Sequence, residues 1–413
     1  MEPMSKTNHI KLGTPKELAY AENRYQNPAS LVSIEGVRDP LAMSKFKIVS
    51  GEPSYISMAD GYQITTILRT IAETFRQAAS GKMPYITVAG KHGNPCGAAY
   101  DWDNPAKAIR KALTGDSVAV MGGEVVTNFA IDEGLADGLF TVPNDPDIGR
   151  KKWGLDLILA PSFSKEAIEL LGKREKRRLI ANKALLDPRP FPGLWERKSI
   201  GADMLVQRAP GFYLTPSEVV DWTNYVPALA MRGKPNITDF GTLIIAWACC
   251  WFASSNTVAL AKDQMLIGLG CGQQDRIACV RLCLERANRA GHDPKDSLFA
   301  SDAFFPYAKG NLSDLDKLID RIGGLNAAAE DALAAETGDG KREALNYLSE
   351  ISSLVSQSDR REGPELLIDA GCKGGVVPCD GQHKDEVKQL FADAGLSVAF
   401  LAPEHRGFRK HAG

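Results

Sequence analysis

The stretch that decides the fold is Pro84-Tyr-Ile-Thr-Val-Ala89, followed by Lys91-His92-Gly93-Asn94-Pro95. Its first part is a short apolar run that is typical of a buried strand. Its second part combines polar side chains with turn formers, so we expect the chain to leave the strand there, with Gly93-Asn94-Pro95 as the turn. Since α/β folds build their sites at the carboxyl ends of strands, this stretch predicts a sheet and a site together.

Helical and strand-like patterns alternate on both sides of that stretch. One apolar stripe at helical spacing precedes it and comprises Ile64, Ile67, Leu68, Ile71 and Phe75. Strand-like runs follow it at residues 155–159, 265–270, 366–369 and 398–401. The first of these runs stops at Ala160-Pro161, and a helix is expected to begin near Ser162 or Ser164. The alternation predicts a layered α/β architecture.

The chain is predicted to divide into two halves, residues 1–190 and 191–413, because three prolines between residues 187 and 194 indicate a linker or an irregular crossover. One block, residues 308–362, differs from the rest. Its apolar side chains fall on two helical faces: Leu315, Leu318, Ile319 and Ile322 on one, and Leu345, Leu348, Ile351 and Leu354 on the other. We predict a helical hairpin inserted at the surface or at an interface.

Composition narrows the class of protein. The net charge of −2 gives no reason to expect nucleic acid or an anionic membrane as the main partner. Residues 1–13 are polar and lack the apolar core of a signal peptide, and the most apolar run, 243–253, is too short for a bilayer and predicts a buried helix. The eight cysteines include no CxxC pair, which indicates reduced thiols. A cytoplasmic enzyme or binding protein is expected.

The pair Lys91-His92 is the sharpest chemical signal. A histidine can act as a base near neutral pH, and a neighbouring lysine can stabilise a developing oxyanion; the alternative is a solvated pair on a loop. Pro95-Cys96 is similar to half of a zinc-deaminase motif, but Ala99 stands at the second cysteine position and no HxE partner is evident. Zinc is therefore not predicted. Cys96 remains either a nucleophile or a buried, inert thiol.

Three further segments combine polar groups with turns or aromatic rings. Ser255-Asn256-Thr257 and the glycine-rich turn 268–276 could present backbone amides to an anion, or simply connect a strand to a helix. The spacing does not meet the dinucleotide fingerprint. Within 301–307, adjacent phenylalanines could stack on a flat heterocycle or lie in the core. The basic residues 405–411 are either a phosphate clamp or a solvated end.

These segments, taken in order, resemble the transformylase domain of the bifunctional AICAR (aminoimidazole-carboxamide ribonucleotide) transformylase/IMP cyclohydrolase family. The matching segments are residues 18–26, Lys91-His92, 157–161, Ser255-Asn256, 268–276, 301–307 and 406–408. The family's cyclohydrolase domain has no counterpart among these residues, so ring closure to IMP is not expected.

The resemblance implies a fold of two cytidine-deaminase-like α/β subdomains in tandem, with the helical insertion in the second. It implies transfer of a formyl group from 10-formyltetrahydrofolate, a cosubstrate, to the 5-amino group of AICAR, with no catalytic metal. It also implies a homodimer whose active sites lie at the subunit interface.

Roles carry over from the family by position. His92 would be the base, Lys91 would stabilise the tetrahedral intermediate, and Asn256 would hold the reacting groups. Residues implied to contact the nucleotide are Tyr20, Gly122, Asp156, Arg276, Phe304 and Arg406. Residues implied to contact folate are Met121, Ile277 and Pro306.

The sequence departs from the family pattern at several binding positions. Ala19, Ser57 and Trp251 replace an arginine, an asparagine and a lysine, and Lys309 stands where an acidic residue recognises the pterin. Arg24 is a candidate replacement for the lost phosphate contact. The departures keep two alternatives open: a divergent formyltransferase acting on another amino-azole carboxamide, and a non-catalytic nucleotide-binding paralogue.

Overall fold

The structure is a computed structural model and describes most of the chain. The residues described are 10–141, 154–174, 176–193, 195–209, 211–215, 219–223, 237–309, 315–334, 337–358, 361–379, 381–402 and 405. They form a mixed sheet of twelve strands with helices on its faces, together with two small two-stranded sheets. The α/β prediction is therefore confirmed.

The first half of the chain begins with short strands and continues with alternating helices and strands. Its elements are β1 Lys16–Glu17, β2 Ser30–Leu31, β3 Lys47–Ser50, α1 Tyr55–Ala78, β4 Tyr85–Lys91, β5 Asn94–Asp101, α2 Pro105–Thr114, β6 Glu124–Thr127, α3 Glu133–Thr141, β7 Leu157–Ala160, α4 Lys165–Leu171 and β8 Arg178–Ala181.

The second half adds a hairpin, a long buried helix and the inserted helical block. Its elements are β9 Trp195–Ile200, β10 Asp203–Arg208, β11 Val219–Thr223, α5 Ile237–Phe252, β12 Val258–Lys262, β13 Met265–Gly270, α6 Arg276–Arg289, β14 Leu298–Ser301, α7 Leu315–Ala334, α8 Gly338–Ser358, α9 Gly363–Asp369, β15 Gly374–Pro378, α10 Lys384–Asp393 and β16 Ser397–Leu401.

The two halves repeat one strand order. The sheet runs β11-β16-β15-β14-β12-β13-β5-β4-β6-β7-β8-β3. In each half a hairpin is followed in the sheet by an antiparallel strand and then by two parallel strands. The two hairpins meet where β13 pairs with β5, with Met265 opposite Ala99. The repeat fits a tandem arrangement, while the cytidine-deaminase-like assignment and the boundary at residue 190 stay predictions.

Helices α1 and α5 fill the space under the centre of the sheet. The predicted stripe on α1 is confirmed, since all five of its apolar side chains are almost fully buried. Ser54 caps the helix by accepting a hydrogen bond from the Ser57 amide at 3.2 Å. The predicted buried helix at 243–253 is α5, whose apolar side chains share one core with α1. Burying each such side chain contributes about 1.5 to 3 kcal/mol.

The strand predictions at 155–159, 265–270 and 398–401 are confirmed by β7, β13 and β16. Helix α4 begins after Ser164, whose hydroxyl accepts from the Ala167 amide, so the second of the two suggested caps is the one used. Residues 187–193 contain no helix or strand, as expected of a linker, and residue 194 lies outside the described part.

The prediction of a strand at 366–369 is wrong, because this segment is the second part of helix α9. Glu362 and Glu365 form a reciprocal capping box, and Pro364 occupies the first turn, where its missing N–H costs nothing. These capping contacts favour a helix. The strand was predicted from residues 366–369 alone. The strand that follows, β15, was not predicted.

The predicted turn after the first strand is displaced. Strand β4 continues to Lys91, and the turn is His92-Gly93, with φ of 52° and 69°. Asn94 and Pro95 already belong to β5. A type I′ hairpin turn needs positive φ at both central residues. Glycine adopts this conformation freely, whereas only a few per cent of other residues adopt it.

The block 308–362 contains two helices packed on each other, α7 and α8, as predicted for a helical hairpin. Side chains of Leu315, Leu318, Ile319 and Leu354 lie outside the described part. Leu345 and Leu348 are 66% and 47% exposed, so this predicted face lies largely in solvent in the single chain. Within the described residues, no helix is long and apolar enough to cross a membrane.

Candidate active site

The Lys91-His92 hairpin is anchored from several sides. Lys91 Nζ donates to the carbonyl of Met121 at 2.6 Å, and the His92 amide donates to Asp60 Oδ2 on α1 at 3.2 Å. Asn94 Oδ1 accepts from the amide of Ser254 at 3.0 Å. The imidazole of His92 is exposed while Lys91 is half-buried. The hairpin is therefore fixed in place with its histidine directed to solvent.

Asn256 is held by residues of the glycine-rich turn and of α6. Its Nδ2 donates to the Gln273 carbonyl at 2.9 Å, and its Oδ1 accepts from Arg276 Nη2 at 2.7 Å. Ser254, two residues earlier, is the residue that bonds Asn94. The structure thus brings together the Lys91-His92 motif of the first half and the Ser255-Asn256 motif of the second.

A buried ion pair supports this second motif. Arg276 Nη1 donates to Asp302 Oδ1, and also to the Thr257 carbonyl at 3.1 Å. Asp302 Oδ2 accepts from Ser255 Oγ at 2.7 Å. Arg276 is buried, so its guanidinium orients Asn256 and neutralises Asp302. The resemblance supplied no role for Asp302. Its partners, Arg276 and Ser255, are distant in sequence, so the sequence alone did not indicate them.

Asp60, Asp156 and Lys91 all interact electrostatically with Glu124, and of the three carboxylates sequence reasoning named only Asp156. Glu124 at the start of β6 lies opposite Gly90 of β4, and its side chain is 6% exposed. Its Oε2 has no hydrogen-bond partner among the described residues. Burial, and then the charges of Asp60 and Asp156, raise the pKa of Glu124 to about 9, with Lys91 opposing them. Glu124 is therefore a neutral acid at pH 7.

Gly122 and Asp156 lie close together, and their contacts with the nucleotide stay predictions. Gly122 has φ of 70°, and a Cβ there would lie 3.8 Å from Asp156 Oδ2. Asp156 Oδ1 accepts from Arg174 Nη2 at 2.8 Å, and both side chains are partly exposed. Met121, the preceding residue, is exposed and contributes its carbonyl to Lys91.

Tyr20 lies beside Arg178, the first residue of β8. Arg178 Nη2 donates to the Tyr20 hydroxyl at 3.2 Å, and the guanidinium carbon lies 5.9 Å from the ring centroid. The Arg178 amide donates to the carbonyl of Asp156 at 2.9 Å, which places this pair next to the pocket residues. Arg24 begins a 3-10 turn, but its side chain lies outside the described part, as does Arg406 altogether.

The two phenylalanines of 301–307 are in the core, the alternative left open for them. Phe304 packs against Phe400, and Phe305 against Phe299. Pro306 is exposed and lines a cavity of about 250 Å³ with Tyr307, Gly381 and His383. Ile277 is half-buried in the first turn of α6, directly after Arg276. Contacts of Phe304, Ile277 and Pro306 with substrates stay predictions.

Cys96 is buried, and burial raises the pKa of its thiol far above the usual range. A thiolate nucleophile is therefore excluded at neutral pH, and the inert alternative is correct. In the described part of the chain, no three His, Cys, Asp or Glu side chains come together in a way that could hold a metal ion.

A larger cavity of about 690 Å³ lies elsewhere. It is lined by residues of α1, the 30–45 segment and the β9–β10 region. Of the residues implied to bind substrate, none whose side chain the structure describes lines it. Trp251, which replaces a lysine of the family pattern, does line it.

A comparison of sequences shows the family of the chain that carries these two motifs. The family model for the AICARFT/IMPCHase bienzyme matches residues 2–286, more than half of the chain. The chain belongs to this family. The matched range contains Lys91, His92, Asn256 and Arg276, and it ends before the 301–307 segment and the helical insertion.

Members of the AICARFT/IMPCHase family among the curated proteins are similar to this chain at low identity. The bifunctional purine biosynthesis protein PurH of Chlorobaculum parvum is 30% identical over 316 residues, which cover 76% of this chain and 54% of that protein. PurH of Anoxybacillus flavithermus is 28% identical over 292 residues, covering 70% and 50%. The chain spans about half the length of the curated relatives that it matches.

Proposed function

We propose that this chain is an AICAR formyltransferase that uses 10-formyltetrahydrofolate. The observation that carries the proposal is the meeting of the Lys91-His92 hairpin with the Asn256 network across the Asn94–Ser254 hydrogen bond. Lys91, His92 and Asn256 are the residue types that family members place at these positions.

The reaction suits these side chains. The amine of AICAR lies beside a carboxamide and is a weak nucleophile, so positioning and base assistance are what a catalyst must add. His92 accepts a proton from the amine as its nitrogen bonds to the formyl carbon, and the charge of Lys91 stabilises the oxyanion that forms. The bond from that carbon to N10 of the folate then breaks, and N10 takes up a proton.

Formation of tetrahydrofolate from AICAR and 10-formyltetrahydrofolate tests the proposal. His92→Ala and Lys91→Ala should each lower kcat/KM by about 10²- to 10⁴-fold. Lys262→Ala is the matched control, since Lys262 ends β12 in the equivalent hairpin of the second half. Equal activity in wild type and His92→Ala would overturn the proposal.

One alternative keeps the chemistry and changes the acceptor to another amino-azole carboxamide. Ser57 favours it, because its side chain and amide are occupied by the Ser54 cap. Trp251 favours it as well, because it lines the separate 690 Å³ cavity. A screen of ring-modified analogues decides: a higher kcat/KM for AICAR than for every analogue removes this alternative.

The other alternative is a non-catalytic nucleotide-binding paralogue. Lys309, exposed where the family pattern has the pterin-recognising acid, favours it. Turnover that disappears in His92→Ala would exclude it.

We also propose a cytoplasmic homodimer with active sites at the subunit interface. Light scattering coupled to gel filtration measures the molar mass and so tests the dimer.

A further inference from the structure

The guanidinium of Arg178 is fixed in position without a carboxylate partner. Its Nε donates to the Glu52 carbonyl at 3.1 Å, its Nη1 to the Lys176 carbonyl at 2.8 Å, and its Nη2 to the Tyr20 hydroxyl. Within the described residues, Arg178 forms no ion pair. Its cationic charge is therefore ordered but not neutralised, whereas neighbouring Arg174 is paired with Asp156.

Donor groups remain on both members of the pair. An arginine has five N–H groups, and the three bonds above leave two that donate to no described residue. Arginine cannot accept a hydrogen bond, so Tyr20 must be the acceptor in their contact. The phenolic hydrogen of Tyr20 is then available to a third group. Two N–H donors and one O–H donor, beside an uncompensated positive charge, fit the oxygens of a phosphate monoester.

The pair lies at a suitable place for the nucleotide. Through its amide, Arg178 is bonded to the carbonyl of Asp156, the residue beside Gly122. Tyr20 follows Ala19, which is exposed and offers no charge. An arginine that reaches Tyr20 from β8 can therefore supply the cation that position 19 lacks.

We propose that Arg178, with the hydroxyl of Tyr20, binds the 5′-phosphate of the acceptor and restricts it to nucleoside monophosphates. The inference rests on the proposed function for the identity of the base. This contact is the same in the bound substrate and in the transition state. Its loss should therefore raise KM and leave kcat largely unchanged.

The test compares AICAR with its dephosphorylated ribonucleoside in wild type, Arg178→Gln and Tyr20→Phe. Arg178→Gln should raise KM for AICAR about 10- to 100-fold and leave KM for the ribonucleoside within about twofold. Tyr20→Phe, which keeps the ring, should show the same selectivity with a smaller effect. Arg189→Gln is the matched control, because Arg189 is exposed and its partner among the described residues is Asp187 in the linker.

Calorimetric binding of AICAR separates this inference from the proposed function. Phosphate-selective loss of binding in Arg178→Gln supports the subsite even if wild type transfers no formyl group. Equal losses for nucleotide and nucleoside, or no loss for either, would overturn it, and so would a wild type that binds neither. Arg178→Lys retains the charge without the fork of donors, and it replaces Arg178→Gln if that variant unfolds.

Discussion

Glu124 lies in an environment that disfavours an ionised carboxylate. It is a buried residue of strand β6 near Lys91, with one oxygen lacking any partner among the described residues. An ionised carboxylate there would face the charges of Asp60 and Asp156 in a medium of low dielectric constant. Glu124 avoids that cost by keeping its proton. In this neutral form Glu124 does not neutralise the charge of Lys91.

Glu124→Gln should change how stability depends on pH. The carboxyl ionises near pH 4.5 in the unfolded chain and near pH 9 in the folded one. Between these values the folded state binds more protons, so the free energy of unfolding falls as pH rises, by at most about 1.4 kcal/mol per pH unit. Urea unfolding should therefore show the variant gaining stability relative to wild type from pH 5 to pH 8. Glu169→Gln, at an exposed position, is the control; parallel curves for wild type and Glu124→Gln would contradict the assignment.

Asp302→Asn should be strongly destabilising. It leaves the guanidinium of Arg276 buried without its counter-ion, which typically costs about 3 to 5 kcal/mol. It also loosens the contact that orients Asn256, so kcat should fall along with the urea midpoint. The exposed pair of Arg361 and Asp369 supplies the comparison, where Asp369→Asn should cost less than about 1 kcal/mol. Similar costs for the two variants would refute the structural role of Asp302.

Among the elements, the β4–β5 hairpin has a narrow conformational requirement at its turn. Gly93 has φ of 69°, in the left-handed region, so Gly93→Ala should cost about 1 to 2 kcal/mol and displace His92. Gly138→Ala in α3 is a matched control, because the glycine is helical and a Cβ there meets no atom within 4 Å. It should be neutral or stabilising by up to about 1 kcal/mol. Thermal unfolding and formyl-transfer assays are made on both variants. If Gly93→Ala matches Gly138→Ala in stability and activity, the turn tolerates a side chain.

Element predictions from the sequence succeeded where a pattern was long or chemically explicit. The α1 stripe extends over several turns, and β13 ends in glycines, so periodicity and turn formers were sufficient. At residues 366–369 four residues could not establish a period, and the decisive capping contacts of Glu362 and Glu365 lie before them in the chain. Glu124 and Arg178 were missed for another reason. Their significance depends on partners brought close by sheet pairing, which no local pattern contains.

At the scale of the whole molecule, one hydrophobic core serves both halves. It contains side chains of α1 and β4 together with those of α5 and β12. Gln63 of α1 also donates to the Phe252 carbonyl at 2.8 Å within this core. Neither half can lose its structure without exposing apolar surface of the other.

We therefore expect the main unfolding of the chain to be a single calorimetric transition that includes both halves. Trp102 lies in the first half and Trp247 in the second. The unfolding midpoint measured from the fluorescence of each, in a variant lacking the other tryptophans, should be the same. Two separate midpoints would show that the halves unfold independently despite the shared sheet.

The repeated strand order also gives the molecule a structural counterpart of the turn that carries His92. At the end of β12, Lys262-Asp263-Gln264 forms a hairpin with positive φ at both central residues, as His92-Gly93 does after Lys91. Gln264 is engaged with Thr242, but Asp263 is exposed. A fluorophore attached at position 263 would therefore occupy the same point of the repeat as His92, in a turn that carries none of the residues proposed to bind or react. It could report on ligand binding as an internal reference whose own surroundings do not react.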